Sequence, residues 1–328
     1  MNKILLCFTT AITALIATSC LNSNQKTLLP NVSGKAGEVI IAMDRENWEG
    51  DLGIEVRDIL GGDCPYLAQQ EPLFTLVNLS PTGFSDLFKV HRNIVFFDID
   101  DNVQNPGVSY KSDIWAHPQC FIQISAKDSA SMLELFRENS QNIAGAIEQA
   151  ERDRIIDNAK HYEVVTIAEA VREMVGGSPH FPTGYKLKKK TDNFIWIADD
   201  KQYSIQGVFI YKYPAAEGDG NFTEESIIAH RNEILEANVP GMFENTWMTT
   251  STFITPTVEF IRFRGRQFAQ TRGFWEVQND FMGGPFVSHS FYSADSKEII
   301  TVEAWVYAPK YDKRQYLRQV ESIIYSYE

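Results

Sequence analysis

Along the chain, apolar positions switch repeatedly between the two-residue period of strands and the 3.6-residue period of helices. Glu38 to Met43 is a short apolar run that predicts a strand. Asp44 can cap the helix behind it, on which Trp48, Leu52, Val56, Ile59 and Leu60 face inward until Gly61-Gly62 stops it. Leu73 to Leu79, Asn93 to Ile99 and Cys120 to Ser125 read as further strands. Asp128-Ser129 then opens a long helix with Met132, Phe136, Ile143 and Ile147 on one side. Its charged continuation, Glu148 to Lys160, predicts projection into solvent. A shorter helix near Thr166 to Val175 ends at Gly176-Gly177.

Ser178 to Gly184 carries two prolines and sits between turn signals, so it marks the boundary between two halves. Beyond it the chain is richer in strands. Tyr185 to Lys190, Phe194 to Ala198 and Ile205 to Tyr213 predict a meander, and Thr223 caps a helix that buries Ile227, Ile228, Ile234 and Leu235. Four strands follow at Val258 to Arg264, Phe268 to Val277, Phe286 to Tyr292 and Ile299 to Tyr307. A last helix starts near Tyr311. Asp312 and Gln315 are its capping pair, and Tyr316, Leu317, Val320, Ile323, Ile324 and Tyr327 its buried stripe. Strands in runs, separated by single helices, predict an α+β fold. It would comprise two successive sheet-plus-helix halves, residues 34–177 and 178–328, with mostly antiparallel strands, each closed by an amphipathic helix.

The start of the chain changes the picture from fold to compartment. One basic residue, Lys3, precedes the apolar stretch Ile4 to Ala17, which is too short for a span of about 20 residues. Ala17-Thr18-Ser19-Cys20 ends it, the pattern of a secretory signal, residues 1–19, cut before a cysteine. It resembles a bacterial lipobox with alanine where leucine is usual. Acyl chains on Cys20 would then tie the protein to a lipid bilayer as a cell-envelope lipoprotein, because two or more chains anchor stably where one does not. Residues 20–33 read as a polar tether. The stretch Asn22 to Leu28 holds no acidic residue, which favours the periplasmic side of the outer membrane.

Composition excludes some roles. A net charge of −13 repels nucleic acid and anionic surfaces, so no nucleic-acid partner is expected. Hydrophobic residues at 44% and aromatics at 12% give enough apolar surface for a packed core. Behind Cys20 only Cys64 and Cys120 remain, open to pairing in an oxidising compartment or to burial as free thiols. The six histidines stand apart, and no zinc, dinucleotide or phosphate-loop signature is present, so no cofactor is implied.

Candidate chemistry is sparse. Val95 to Asp101 ends an apolar strand in Asp98-x-Asp100, which resembles the nucleophile strand of haloacid-dehalogenase-type phosphatases. There Asp98 would attack phosphorus and Asp100 move the proton, with Ser125, Lys160 or Lys186, and a magnesium ion on Asp199 and Asp200 completing the site. Asn102 stands where that family carries threonine or valine. A calcium loop over the same residues fails, with Val103 in place of glycine and Ser109 in place of glutamate. For binding, Arg272, Trp275, Asn279 and Asp280 offer a guanidinium, a flat ring and polar groups close in sequence, and Met282-Gly283-Gly284-Pro285 predicts a tight turn beside them. Trp115, in Trp115-Ala116-His117-Pro118, is the second aromatic candidate. Either tryptophan can equally fill a core. Lys186 to Lys190 reads as a solvated strand edge. Asp128-Ser129-Ala130 fits a short O-glycosylation signal and a helix cap equally well.

Several segments together carry a family resemblance: Ser33 to Val39, Glu71 to Phe74, His91 to Ile94, Trp115 to Gln119, Thr271 to Phe286 and Trp305 to Pro309. The chain resembles, from about Pro30 to its end, the envelope lipoproteins of Bacteroidota grouped as domain of unknown function 4837 (DUF4837). The resemblance implies the envelope compartment and no particular activity, and Cys64 and Cys120 lie outside its motifs. The expectation is a non-enzymatic binding or assembly component with an envelope protein or glycan as partner. The alternative is a periplasmic hydrolase, a magnesium-dependent phosphatase using Asp98 and Asp100.

Overall fold

A computed structural model describes residues 28–328; the expected signal segment and Cys20 lie outside them. Two sheets carry the fold, and the α+β class holds. The first has five strands in the order β2-β1-β3-β5-β4, with β1 Glu38–Ala42, β2 Thr75–Leu79, β3 Asn93–Ile99, β4 Gly107–Ser112 and β5 Cys120–Ala126. The second has eight, in the order β10-β11-β12-β13-β8-β7-β6 with β9 beside β11. Its strands are β6 Lys186–Lys190, β7 Phe194–Lys201, β8 Ser204–Pro214, β9 Met248–Thr250, β10 Thr257–Phe263, β11 Arg266–Val277, β12 Gly283–Tyr292 and β13 Glu298–Tyr307.

All pairs in the second sheet are antiparallel. The first differs from the rest: β2, β1, β3 and β5 run parallel, and only the edge strand β4 is antiparallel. Its inner strands β1, β3 and β5 are largely buried on both faces and read as apolar runs, as parallel sheets require. Strand β1 buries Val39, Ile40, Ile41 and Ala42 in succession. The polar sequence Gly-Val-Ser-Tyr-Lys-Ser of β4 has no such run, so the sequence pattern gave no sign of it.

Helices α1 Arg45–Glu49 and α2 Asp51–Leu60 replace the single helix expected there, with Gly50 as their joint. Asp44 caps the first as expected, accepting from the Asn47 amide at 3.0 Å. A short α3, Asp86–Lys89, follows, then α4, Ser129–His161. Asp128 caps α4 through the Ser131 amide at 2.8 Å. At 33 residues it is about 50 Å long. About the first five of its turns cover the first sheet through Met132, Phe136, Ile143 and Ile147. The charged part does not project into solvent. Glu151 is fully buried, accepting from Arg92, Asn93 and Arg154, and Ile156 and Ala159 are buried too. Charge pattern alone misleads here because each buried charge is paired on site.

Helix α5, Val165–Val175, packs Ile167 and Val171 into the core of the second sheet. On that same face lies α7, Arg314–Tyr325, burying Leu317, Val320, Ile323 and Ile324. The opposite face is covered by α6, Glu224–Asn238, over a core that includes Phe209, Trp275, Phe286 and Trp305. Gly207 is needed there, because a side chain would strike the Trp305 ring. The start of α7 differs from expectation. Asp312 is exposed, and the Lys313 and Arg314 amides donate instead to the carboxylate of Glu71, both at 2.7 Å. A residue 242 positions earlier thus caps the last helix. The expected turn Met282-Gly283-Gly284-Pro285 is also corrected: Gly283, Gly284 and Pro285 lie inside β12, paired with β11. Gly284 brings its backbone against the Val306 carbonyl, leaving no room for a side chain.

Candidate functional site

Helix α4 of the first half packs against α7 of the second. Beside that contact lies a cleft of about 260 Å³, lined by Cys64, Leu73, Glu148, Arg152, Arg272, Arg314, Arg318 and Glu321 among others. Local structure explains how these groups converge. Glu148 and Arg152 stand one turn apart on α4. Arg314, Arg318 and Glu321 form one stripe of α7 beside its apolar one, and Arg272 points towards α7 from β11. Neighbouring positions alternate faces on a strand, so Thr271 and Gly273 face the other way.

Four arginines meet two glutamates here, a local excess of positive charge in an acidic protein. Arg318 donates to Glu148 through Nε at 3.1 Å and to the Leu73 carbonyl at 3.0 Å. Arg272 pairs with Glu321 and donates from Nε to Gln270 at 3.0 Å. Burial pushes the Glu321 carboxyl upward, but Arg272 and Arg152 outweigh it and hold the group below its ordinary range. These two pairs are mutually satisfied. Arg152 and Arg314 are not paired to a carboxylate within salt-bridge distance among the described residues. Arg152 lies over the Tyr325 ring at 3.9 Å and donates one bond to Gln149. Arg314 donates a side-chain bond to the Pro72 carbonyl. Their remaining donors are the unspent hydrogen-bonding capacity of the cleft.

Cys64 is a free thiol at the rim, pushed up to about 11 by burial. It is therefore protonated at neutral pH and a poor nucleophile. Cys120 is a second free thiol in the first core, so the two do not pair. Under the cleft, His289 Nε2 accepts from the Gln270 side-chain amide at 3.1 Å, and Gln270 also donates to the Tyr325 hydroxyl at 2.7 Å. Burial pushes His289 down to about 3 and keeps it neutral.

The residues singled out in the sequence do not assemble into one site. Trp275 is core: it packs on Trp305 at 5.5 Å and donates from its indole to the Val306 carbonyl at 3.2 Å. It faces α6, whereas Arg272 faces α7, so the two are on opposite sides of the sheet. Asn279 and Asp280 form the β11–β12 turn, where Asn279 is left-handed with φ 63° and Asp280 accepts from the Phe281 amide. Only Arg272 belongs to the cleft. Trp115 fills the far face of the first sheet, edge-on to Phe84 and Phe121.

The phosphatase arrangement is not formed. Asp98 does meet Ser125, at 3.1 Å, but Gln123 occupies the same carboxylate oxygen. Asp100 is exposed and folds the turn by accepting from the Asn102 amide and side chain, both at 2.8 Å. The other groups are on the second sheet or spent elsewhere. Lys160 pairs with Glu328, Asp199 with Lys201 and Asp200 with Lys188. Lys186 lies on β6, the solvated edge strand, paired with Ala198 of β7. Among the described residues, no group of three histidine, cysteine or acidic side chains is placed to hold a metal ion.

Sequence reasoning missed Glu148, Arg152, Arg314, Arg318 and Glu321. The available signal was the charged stripe on α7, where Arg314, Arg318 and Glu321 recur at helical spacing beside the apolar one.

Comparison with known proteins adds family and little else. The model of the family described as Domain of unknown function (DUF4837) matches residues 165–326. A separate model, Domain of unknown function (DUF8532), matches residues 32–160, so the resemblance over the first half is carried by a different family. No curated protein matches the chain. Among solved structures it is similar to the Ran-binding protein Mog1p of Saccharomyces cerevisiae, at 7% identity and TM-score 0.31, over 46% of this chain and 88% of that one. A protein from Bacteroides thetaiotaomicron is similar at 8% identity and TM-score 0.25, over 46% of this chain and 44% of that one.

Proposed function

We infer that this chain, which belongs through residues 165–326 to the DUF4837 family, is a non-enzymatic binding component whose ligand seat is the arginine-lined cleft between its halves. One observation carries the reading: Arg152 and Arg314 face a cavity with donors that no carboxylate of the described residues takes up, beside two Arg–Glu pairs that are already satisfied. Guanidinium donors in a partly dry cleft suit an oxyanion, either a carboxylate or a phosphate. A rim thiol that stays protonated at neutral pH, and a fully buried histidine too weakly basic to take a proton, support binding over nucleophilic or general-base chemistry.

Calorimetric titration of the full chain with succinate and, separately, inorganic phosphate tests this. Saturable binding of one probe, lost in the Arg152→Gln/Arg314→Gln variant with folding intact, is expected. Equal binding by that variant, or no binding of either anion, would overturn it. The two arms separate a carboxylate ligand from a phosphate one.

The envelope setting belongs to the same proposal and rests on the sequence: a signal over residues 1–19 and acyl chains on Cys20, facing the periplasm from the outer membrane. Radiolabelled palmitate should enter the wild-type chain. A Cys20→Ala variant that still takes up label would defeat the anchor.

A further inference from the structure

One end of the eight-stranded sheet carries apolar side chains that nothing in the described fold covers. Three segments meet there: residues 240–247 between α6 and β9, residues 251–256 between β9 and β10, and the turn 278–282 between β11 and β12. They are tied into one surface. The Gln278 amide donates to the Trp247 carbonyl at 2.9 Å, and the Ser251 amide donates to the Phe274 carbonyl at 2.8 Å. The Phe253 ring stands edge-on to Phe274 at 6.2 Å. Left-handed residues, Asn245 and Asn279, fix two of the tips. From this surface Phe281 projects fully into solvent, while Met242, Phe253 and Phe243 are 80%, 73% and 64% exposed. Scattered apolar residues are ordinary on a surface, but a cluster of four on adjoining loops marks an interaction site.

The chemistry of the loops selects the partner. They contain Glu244 and Asp280 and no lysine or arginine, so an anionic surface would be repelled, and four apolar side chains outnumber the two charges available to a polar protein face. All four side chains stand out into solvent from loops and turns, not from a strand or helix. Such a shape fits a medium that accepts protruding apolar groups without complementary form, as the outer hydrocarbon of a bilayer does. We propose that Met242, Phe243, Phe253 and Phe281 form a wedge that inserts into the interface of a bilayer of zwitterionic lipid. The wedge is independent of the cleft. It agrees with the expected lipid on Cys20, which lies in the residues ahead of Leu28 and would bring the chain to the same kind of surface.

The test places an environment-sensitive dansyl amino acid at position 281 of the full chain, with a control chain carrying it at Asp101 in the first half. Both are added to phosphatidylcholine vesicles holding doxyl-labelled lipid. The expected result is a blue shift and several-fold stronger quenching at 281 than at 101. An anchor on the N-terminal segment alone would leave both sites in water, so the dye at 281 reports the wedge itself. In a second chain the dye sits at Met242, and Phe253→Ser with Phe281→Ser should remove its quenching while circular dichroism stays unchanged. Quenching at 281 no stronger than at 101 overturns the proposal. So does a blue shift that grows with protein concentration in the absence of vesicles, which would assign the surface to a second copy of the chain.

Discussion

The two faces of the eight-stranded sheet each hold an Arg–Glu pair, built from the same chemistry to different ends. On the α6 face, Arg231 and Glu303 are completely buried and doubly hydrogen-bonded, at 2.9 and 2.7 Å. Arg231 also donates to Thr250 at 2.8 Å and lies over the Phe286 ring at 3.9 Å. Nothing of that pair is left for a ligand. On the α7 face the pairs Arg272–Glu321 and Arg318–Glu148 border a cavity, and two further arginines stand beside them with donors to spare. A sealed pair specifies packing. An open one, with an excess of one sign, specifies a guest.

The largest effect should come from breaking the sealed pair. Glu303→Gln leaves a buried guanidinium without its counter-charge and should cost about 3–5 kcal/mol in urea denaturation, with anion binding in the surviving folded chain unchanged. Equal losses from Glu303→Gln and Glu148→Gln would remove the distinction between the faces, since water entering the cleft should soften the second. A smaller, pH-dependent effect belongs to the layer below the cleft. His289 is held neutral down to about 3, against an ordinary 6.5. Below pH 6.5 the unfolded chain takes up a proton that the folded chain refuses, so stability falls with pH across that window and not above it. The slope contributed is about 1.4 kcal/mol per pH unit, or about 2 kcal/mol by pH 5. His289→Gln should flatten the stability profile between pH 6.5 and 5. An unchanged slope would show that His289 is not the group responsible. Smallest of all should be the cost of Arg152→Gln/Arg314→Gln, within about 1 kcal/mol, because partly exposed charges contribute little to folding.

Most elements were legible because each half obeys local rules. Strand β3 was readable residue for residue, and Asp44, Asp128 and Thr223 cap the helices they precede. What escaped was non-local. The cap of α7 is supplied by Glu71, and no spacing rule reaches across the whole chain. The parallel order of β1, β2, β3 and β5 depends on how crossovers pack, not on the strands alone. The cleft was almost invisible, since Glu148 and Arg152 come from one half and Arg272, Arg314, Arg318 and Glu321 from the other. Trp275 drew attention through its neighbours in sequence, yet strand alternation sends it and Arg272 to opposite faces. A tryptophan close in sequence to an arginine is close in space only when their parity agrees.

The contrast between the faces also supplies its own internal control. Arginine Nε–H signals can be followed by nitrogen-15 NMR in the full chain as succinate or phosphate is added. The account predicts saturable shifts at Arg152 and Arg314, smaller ones at Arg272 and Arg318, and none at Arg231. If all five arginines drift together without saturation, or if Arg152 and Arg314 stay still, the cleft is not a ligand seat.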